Sequence, residues 1–278
     1  MARLNRGGRL PASLLVGGGL FALLVAVVVA APWVAPYPYD EMDIMAIKEA
    51  PSAAHWLGTD EFGRDVLSRL LIGGRTSLFL GAAATAVSLV IGIPLGLLAG
   101  YVRGFVDEAM MRIIDVLMSV PPILMGLLIL SATRPSVWKT AIAVGIIYVP
   151  VMTRLVRSVA LDLSREEFVL AAQGRGERLP WILLREILPN AWPSIIVEAS
   201  LRMTFAVMLA AALSFLGLGV QPPSSDWGLM ISEARPFIDS APWIVLGPGL
   251  ALCVTVVAIN LMGDGLRDLL DPRMRGRA

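Results

Sequence analysis

The sequence predicts an all-α integral membrane protein with six transmembrane helices, and three observations carry that expectation. Hydrophobic residues make up 56% of the 278 and charged ones 16%, with a mean hydropathy of +0.74, a balance outside that of ordinary soluble domains. The apolar residues gather into six blocks, each near the ~20 residues that cross a hydrocarbon core. Arginine is shared unequally between the connecting segments, and such bias marks the cytoplasmic side.

Taking the chain in order, Arg3, Arg6 and Arg9 precede an apolar run over 10–34. Secretory signals use an apolar region of about 7–15 residues, so this longer run is expected to be a retained first helix over 10–35, after a cytoplasmic N-terminus at 1–9. Residues 36–75 are polar and are expected to form an ordered loop outside the membrane. Thr59 is placed to cap a short helix there, with Asp60 and Glu61 in its first turn and Val66, Leu67, Leu70 and Leu71 as its apolar stripe.

A five-helix core is expected over 76–263. Its spans read as 76–100, kinked around Gly92, Pro94 and Gly96; 110–131, containing Pro121 and Pro122; 137–153; 192–219; and 242–262. A turn at Arg103 and Gly104 joins the first two, a second outside loop covers 220–241, and 264–278 is an exposed cytoplasmic tail. Six spans put both termini on one side. That side collects Arg3, Arg6, Arg9, Arg103, Arg112, Arg154, Arg157, Arg165, Arg175, Arg178, Arg185, Arg267, Arg273, Arg275 and Arg277, against Lys48, Arg64, Arg69, Arg75, Arg134, Lys139 and Arg235 on the other.

Between the fourth and fifth apolar blocks, 166–190 is a charged, helix-forming island within the stretch 160–190. Ser164 and Glu167 have the S-x-x-E spacing of a capping box, so a helix should start there. Phe168, Ala171 and Ala172 fall on one face of it, and the two alanines permit close backbone approach. Gly174 and Gly176 weaken continuation, and Pro180 suits the first turn of a second helix through Trp181, Leu184 and Ile187. Pattern alone leaves a structural hairpin and a partner-docking element equally open.

Two charge pairs fall near or within spans. Arg112 and Asp115, at i and i+3, read as a salt bridge at the membrane boundary in preference to a transport role. Glu198 and Arg202, at i and i+4, are either pathway charges or an ion pair that orients the helix.

Several chemistries are excluded. His55 is the one histidine and Cys253 the one cysteine, which removes multi-histidine metal sites, C-x-x-C chemistry and internal disulfides; Cys253, in an apolar run, reads as a small core residue. Lys48 and Lys139 are the only lysines, and neither completes G-x-x-x-x-G-K-[ST], so the chain has no nucleotide-binding loop of its own. No metal and no cofactor are expected in this chain.

The segments HWLGTDEFGRDVLSRLLIGGRTSL at 55–78, MRIIDVLMSVPP at 111–122, LSFLGLGVQPPSSDWG at 213–228, APWIVLGPGLAL at 241–252 and NLMGDGLRDLLDPR at 260–273 together resemble, in order, the inner-membrane permeases of peptide and nickel ABC importers, in the branch of the dipeptide permease C subunits. The island at 166–190 is similar to the cytoplasmic coupling loop of that family, through Ala171, Ala172, Gly176, Ile187, Leu188 and Pro189. Leu170 stands where the family has glutamate, and Ala210 where it often has another.

The resemblance implies a type I ABC importer-like permease with a cytoplasmic coupling helix, in the inner membrane of a bacterium. It further implies a second homologous permease, two ATP-binding subunits that hold ATP and Mg, and an extracytoplasmic solute-binding protein. The alternative from another class is a secondary, ion-coupled transporter, for which Glu198 and Arg202 are the only charged candidates deep inside a span. A membrane-embedded hydrolase lacks the metal cluster and the intramembrane histidine it would need.

Overall fold

The structure is a computed structural model that describes residues 11–132 and 134–270. The terminal arginines of the expected cytoplasmic set, Arg3, Arg6, Arg9, Arg273, Arg275 and Arg277, lie outside the described residues. Within them the chain is helical, and no strand is present beyond an isolated bridge between Thr59 and Asp65. The helices are α1 (Ala12–Val34), α2 (Val66–Val102), α3 (Gly104–Ser119), α4 (Pro122–Ser131), α5 (Val137–Leu163), α6 (Glu167–Gly174), α7 (Leu179–Trp181), α8 (Leu188–Phe215), α9 (Trp227–Ala234) and α10 (Trp243–Leu270). Five helical stretches are long and apolar enough to cross a membrane, and α3 with α4 makes a sixth if that bent pair is one span.

α2 is the centre of the molecule, and it packs chiefly along α5. Glycine makes the seam close: a Cβ at Gly92 would lie 2.8 Å from the Met152 side chain, one at Gly96 2.6 Å from the Thr153 carbonyl oxygen, and one at Gly100 2.6 Å from that of Arg157. Lipid is as apolar as leucine, so packing of this kind, more than hydrophobic expulsion, holds membrane helices together. α1 lies against α10 by the same device, through Gly17 beside Met262 and Gly265 beside Leu14.

The expected short helix capped by Thr59 is absent. Asp65 is the cap, accepting from the Ser68 N–H at 2.7 Å, and the Val66–Leu71 stripe is the first part of α2, which runs through Pro94 without interruption. Thr59 instead donates to the Ala46 carbonyl and accepts from the Glu49 N–H. The third span departs from a straight rod: α3 and α4 meet at 89°. Proline disfavours helical geometry in the residue before it, and Val120 and Pro121, each followed by proline, are extended at ψ 127° and 135°.

Outside the membrane core, a buried charge cluster fastens the α1–α2 loop to α9. Asp60 accepts from Arg64 at 2.6 Å and Arg69 at 2.5 Å, and both arginines reach Glu233 of α9, at 3.2 and 2.8 Å. Each charge is compensated, whereas removal of one member of such a group costs about 3–5 kcal/mol. His55 joins the same loop through Asp65 at 3.0 Å. The neighbouring Glu61 is pushed above the usual carboxylate range by burial.

The loop between α8 and α10 is anchored by Trp227, which donates its backbone N–H to Ser77 and its indole N–H to the Leu70 carbonyl. Asp226 caps α9, accepting from the Leu229 N–H at 2.9 Å and from Ser214 at 2.7 Å. Burial raises its pKa despite those hydrogen bonds. Two further readings are corrected. α10 continues to Leu270, so much of the expected exposed tail is helix, with 271–278 outside the described residues. Cys253 is exposed on the outer surface of α10 and is not a core residue.

Gly96→Ala should force α2 from α5 and lower the unfolding temperature in detergent by several degrees, equivalent to about 1–3 kcal/mol. Gly18→Ala, where nothing lies within 4 Å of the new carbon, should leave it unchanged or raised. Equal behaviour of the two would contradict the packing account. For Asp226, the folded pKa exceeds the unfolded one, so the native state holds the proton to higher pH. Its contribution therefore falls as pH rises from about 4, the ordinary carboxylate value. The unfolding temperature of wild type relative to Asp226→Asn should decline over that range; a difference independent of pH would refute it.

Candidate functional site

The island at 166–190 folds as a helical hairpin laid against the ends of α2 and α5. Its first helix is not started by the expected capping box. Glu166 occupies the cap position with no side-chain hydrogen bond, and Ser164 ends α5, donating to the Leu161 carbonyl at 2.8 Å and accepting from Arg103 at 2.6 Å. Arg103, in the tight turn between α2 and α3, therefore ties the hairpin's entrance to α2. Gln173 adds a second tie by donating to the Tyr101 hydroxyl at 3.0 Å. Neither Tyr101 nor Arg103 is marked as a hairpin partner by any local pattern.

The glycine turn is as expected. The Glu177 N–H reaches the Ala172 carbonyl at 3.2 Å and the Gly176 N–H that of Gln173 at 2.9 Å, the paired bonds of a Schellman cap. Gly176 takes φ +77°, a left-handed backbone that side chains other than Asn and Asp seldom tolerate. Pro180 then sits in the first turn of α7.

The second half of the hairpin is not a separate helix. α7, a π-helical stretch at Ile182–Ile187 and α8 form one rod over Leu179–Phe215. Pro189 explains the π turn: it supplies no N–H, and its ring would collide with the Arg185 carbonyl four residues earlier, a conflict that widening the preceding turn relieves. Accordingly the Leu188 N–H bonds five residues back, to the Leu183 carbonyl.

The expected contact residues divide between two faces. Ala172 and Ile187 are fully buried with Val169 and Ile182 against Leu97, Met152, Val156 and Ala160, so they anchor the hairpin and present nothing outward. Ala171, Gly176 and Pro189 are exposed, and Leu188 is half-buried. The exposed face also carries Phe168, Leu170, Leu179, Trp181 and Leu184. Leu170 borders an open groove of about 360 Å³ that Arg103 and Arg165 also line, with no carboxylate on its walls.

The charge pairs also divide. Asp115 does not pair with Arg112; it meets Arg154 of α5 at 2.5 Å, because the α3–α5 packing brings that arginine closer than its helix neighbour. A bidentate contact joins Arg157 of the same helix to Asp107. Glu198 and Arg202 do pair, at 2.7 Å, with Arg202 lying over the rings of Tyr148 and Phe205. Among the described residues no group of three or more His, Cys, Asp or Glu side chains is arranged to hold a metal ion.

Residues 92–276 match the family described as binding-protein-dependent transport system inner membrane component, and residues 13–51 match the N-terminal transmembrane domain of oligopeptide transport permease C. The chain belongs to this family of inner-membrane transport components. It is 42% identical over 261 residues to a dipeptide transport system permease protein of Alkalihalophilus pseudofirmus, covering 94% of this chain and 86% of the relative. It is 43% identical over 262 residues to a glutathione transport system permease protein of Pectobacterium atrosepticum, covering 94% and 87%. The fold is shared with an inward-facing MetNI methionine ABC transporter structure, with a TM-score of 0.62 over 73% of this chain and 96% of that one at 17% identity.

Gly176→Ala should lower stability by about 1–2 kcal/mol through left-handed strain alone, since no atom lies within 4 Å of the added carbon. Gly176→Asn should lose less. Thermal unfolding in detergent measures both, and an equal loss would show that the turn conformation is not the cause.

Proposed function

We propose that this permease is one of two homologous membrane subunits of an ATP-driven importer, and that it moves peptides or a related small solute by alternating access. The observation that carries this reading is the hairpin: one face is buried in the transmembrane helices and the other presents Ala171, Gly176 and an apolar fringe away from them. A folded surface of that kind needs a protein partner.

The partner we infer is an ATP-binding subunit, two of which would hold ATP and Mg and carry out hydrolysis, leaving this chain without a catalytic role. An extracytoplasmic binding protein would deliver the solute to the opposite face. Both termini would lie in the cytoplasm, on the arginine-rich side of the hairpin. Peptides are the favoured cargo because the relatives are named for dipeptides and glutathione.

The ion-coupled alternative has little to draw on. Glu198 and Arg202 neutralise each other, and Arg202 is further engaged by two aromatic rings, an arrangement suited to shaping the pathway wall or fixing α8.

Gly176→Asp should insert at wild-type level, because Asp tolerates the left-handed backbone and the position is sterically open. It should nevertheless fail to retain the ATP-binding subunits in co-purification and lose ATP-driven uptake in proteoliposomes. Retention of those subunits at wild-type yield would overturn the docking assignment. Proton-driven accumulation by this chain alone would overturn the importer reading.

A further inference from the structure

An open groove of about 480 Å³ lies at the end of α2 remote from the hairpin, between that helix and the loop following α8. Its polar end holds Arg75, Thr76, Ser224, Ser225 and Tyr39, and its apolar end Ile72, Phe79 and Val137. The Ser225 hydroxyl is buried without a hydrogen-bond partner among the described residues. It is held there because Trp227 bonds to Ser77 and Leu70, and because Gly73 admits the Ser225 hydroxyl and the Asp226 backbone against α2. The Arg75 guanidinium makes no ion pair or hydrogen bond with any described residue, whereas Arg64 and Arg69 on the same side are fully paired.

Height in the membrane indicates what fits. Tyr101 and Phe79 of α2 are about 33 Å apart along the helix, at 1.5 Å per residue, which matches a hydrocarbon core of about 30 Å. Phe79 packs edge-on against the exposed Trp138 of α5, with ring centroids 4.8 Å apart, and indole rings of this kind settle at the membrane interface. Arg75 lies one turn, about 6 Å, farther out. That is the headgroup layer, which occupies about 5–8 Å on each side of the core.

We propose that this groove binds the phosphodiester of a phospholipid in the leaflet at that end of the molecule. The guanidinium would take the phosphate charge, the Thr76 hydroxyl and, after rotating away from Gly73, the Ser225 hydroxyl would donate to its oxygens, and the glycerol and first acyl carbons would run past Val137 and Phe79. The assignment does not depend on the cargo or on the ATP-binding partner. Under the orientation proposed above, the leaflet is the outer one.

The test is native mass spectrometry of the delipidated full chain titrated with dioleoylphosphatidylglycerol. The first lipid should bind about tenfold more weakly to Arg75→Gln and several-fold more weakly to Ser225→Ala. Arg75→Lys should keep most of the affinity, and Lys139→Gln, which removes a nearby exposed charge, should match wild type. Dioleoylglycerol, which lacks phosphate, should not compete. Wild-type affinity in Arg75→Gln, or an equal loss in Lys139→Gln, would overturn the proposal. Displacement of the lipid by millimolar inorganic phosphate or by a dipeptide would overturn it too, by making the groove a site for free anions or for cargo.

Discussion

Val169, Ala172, Ile182 and Ile187 bury the inner side of the hairpin against Leu97, Met152, Val156 and Ala160, and this contact makes 166–190 part of the transmembrane body. The four share one buried cluster with those residues and with Ala191 and Ile195 of α8. A hairpin held only by its two connections would absorb a push from a partner in its own bending. One whose interior face is close-packed transmits it, since packed interiors do not deform continuously. The exposed residues beside them, Ala171 and Gly176, can therefore be small and chemically plain.

The transmembrane body beneath the hairpin is itself built around close approach. Gly92, Gly96 and Gly100 let α2 and α5 touch backbone to side chain along the half nearest the hairpin. At the other end the constraint changes character. There Asp60, Arg64, Arg69 and Glu233 join the first loop to α9, and Ser214 joins α8 to the Asp226 cap. Glycine packing tolerates sliding of one helix on another, whereas a compensated buried charge cluster resists separation.

Much of this was legible in the sequence because it rests on local chemistry. The existence of the spans, the turn at Gly176, the start at Pro180 and the Glu198–Arg202 pair all follow from residues within a few positions of one another. The failures share a cause in tertiary contact. Asp115 was assigned to Arg112 by helix spacing, but Arg154 arrives from α5. Ser164 was assigned to a cap and is instead engaged by Arg103. Glu233 meets Arg64 across 169 positions. Ala172 and Ile187 were grouped with Ala171 and Gly176 because family motifs are linear, whereas the helix turns the first two inward. The break at Val120 was available from the rule for residues preceding proline; the two successive prolines were placed inside the span 110–131, which bends by 89° at that point.

The rod over Leu179–Phe215 gives these parts a common axis. At 1.5 Å per residue its 37 residues extend about 55 Å, farther than the hydrocarbon core. One end includes the exposed Trp181 and Leu184 of the hairpin, the middle holds Glu198 and Arg202, and the far end holds Ser214 on Asp226. Had the hairpin's second helix been separated from α8 by a flexible loop, displacement of the docking face would have been lost at that loop. The π turn before Pro189 prevents such a break, because it takes up the missing N–H and the ring clash while the backbone stays helical. A proline that would be expected to uncouple the two segments is thereby accommodated inside one continuous helical stretch, which joins Trp181 of the hairpin to the Glu198–Arg202 pair.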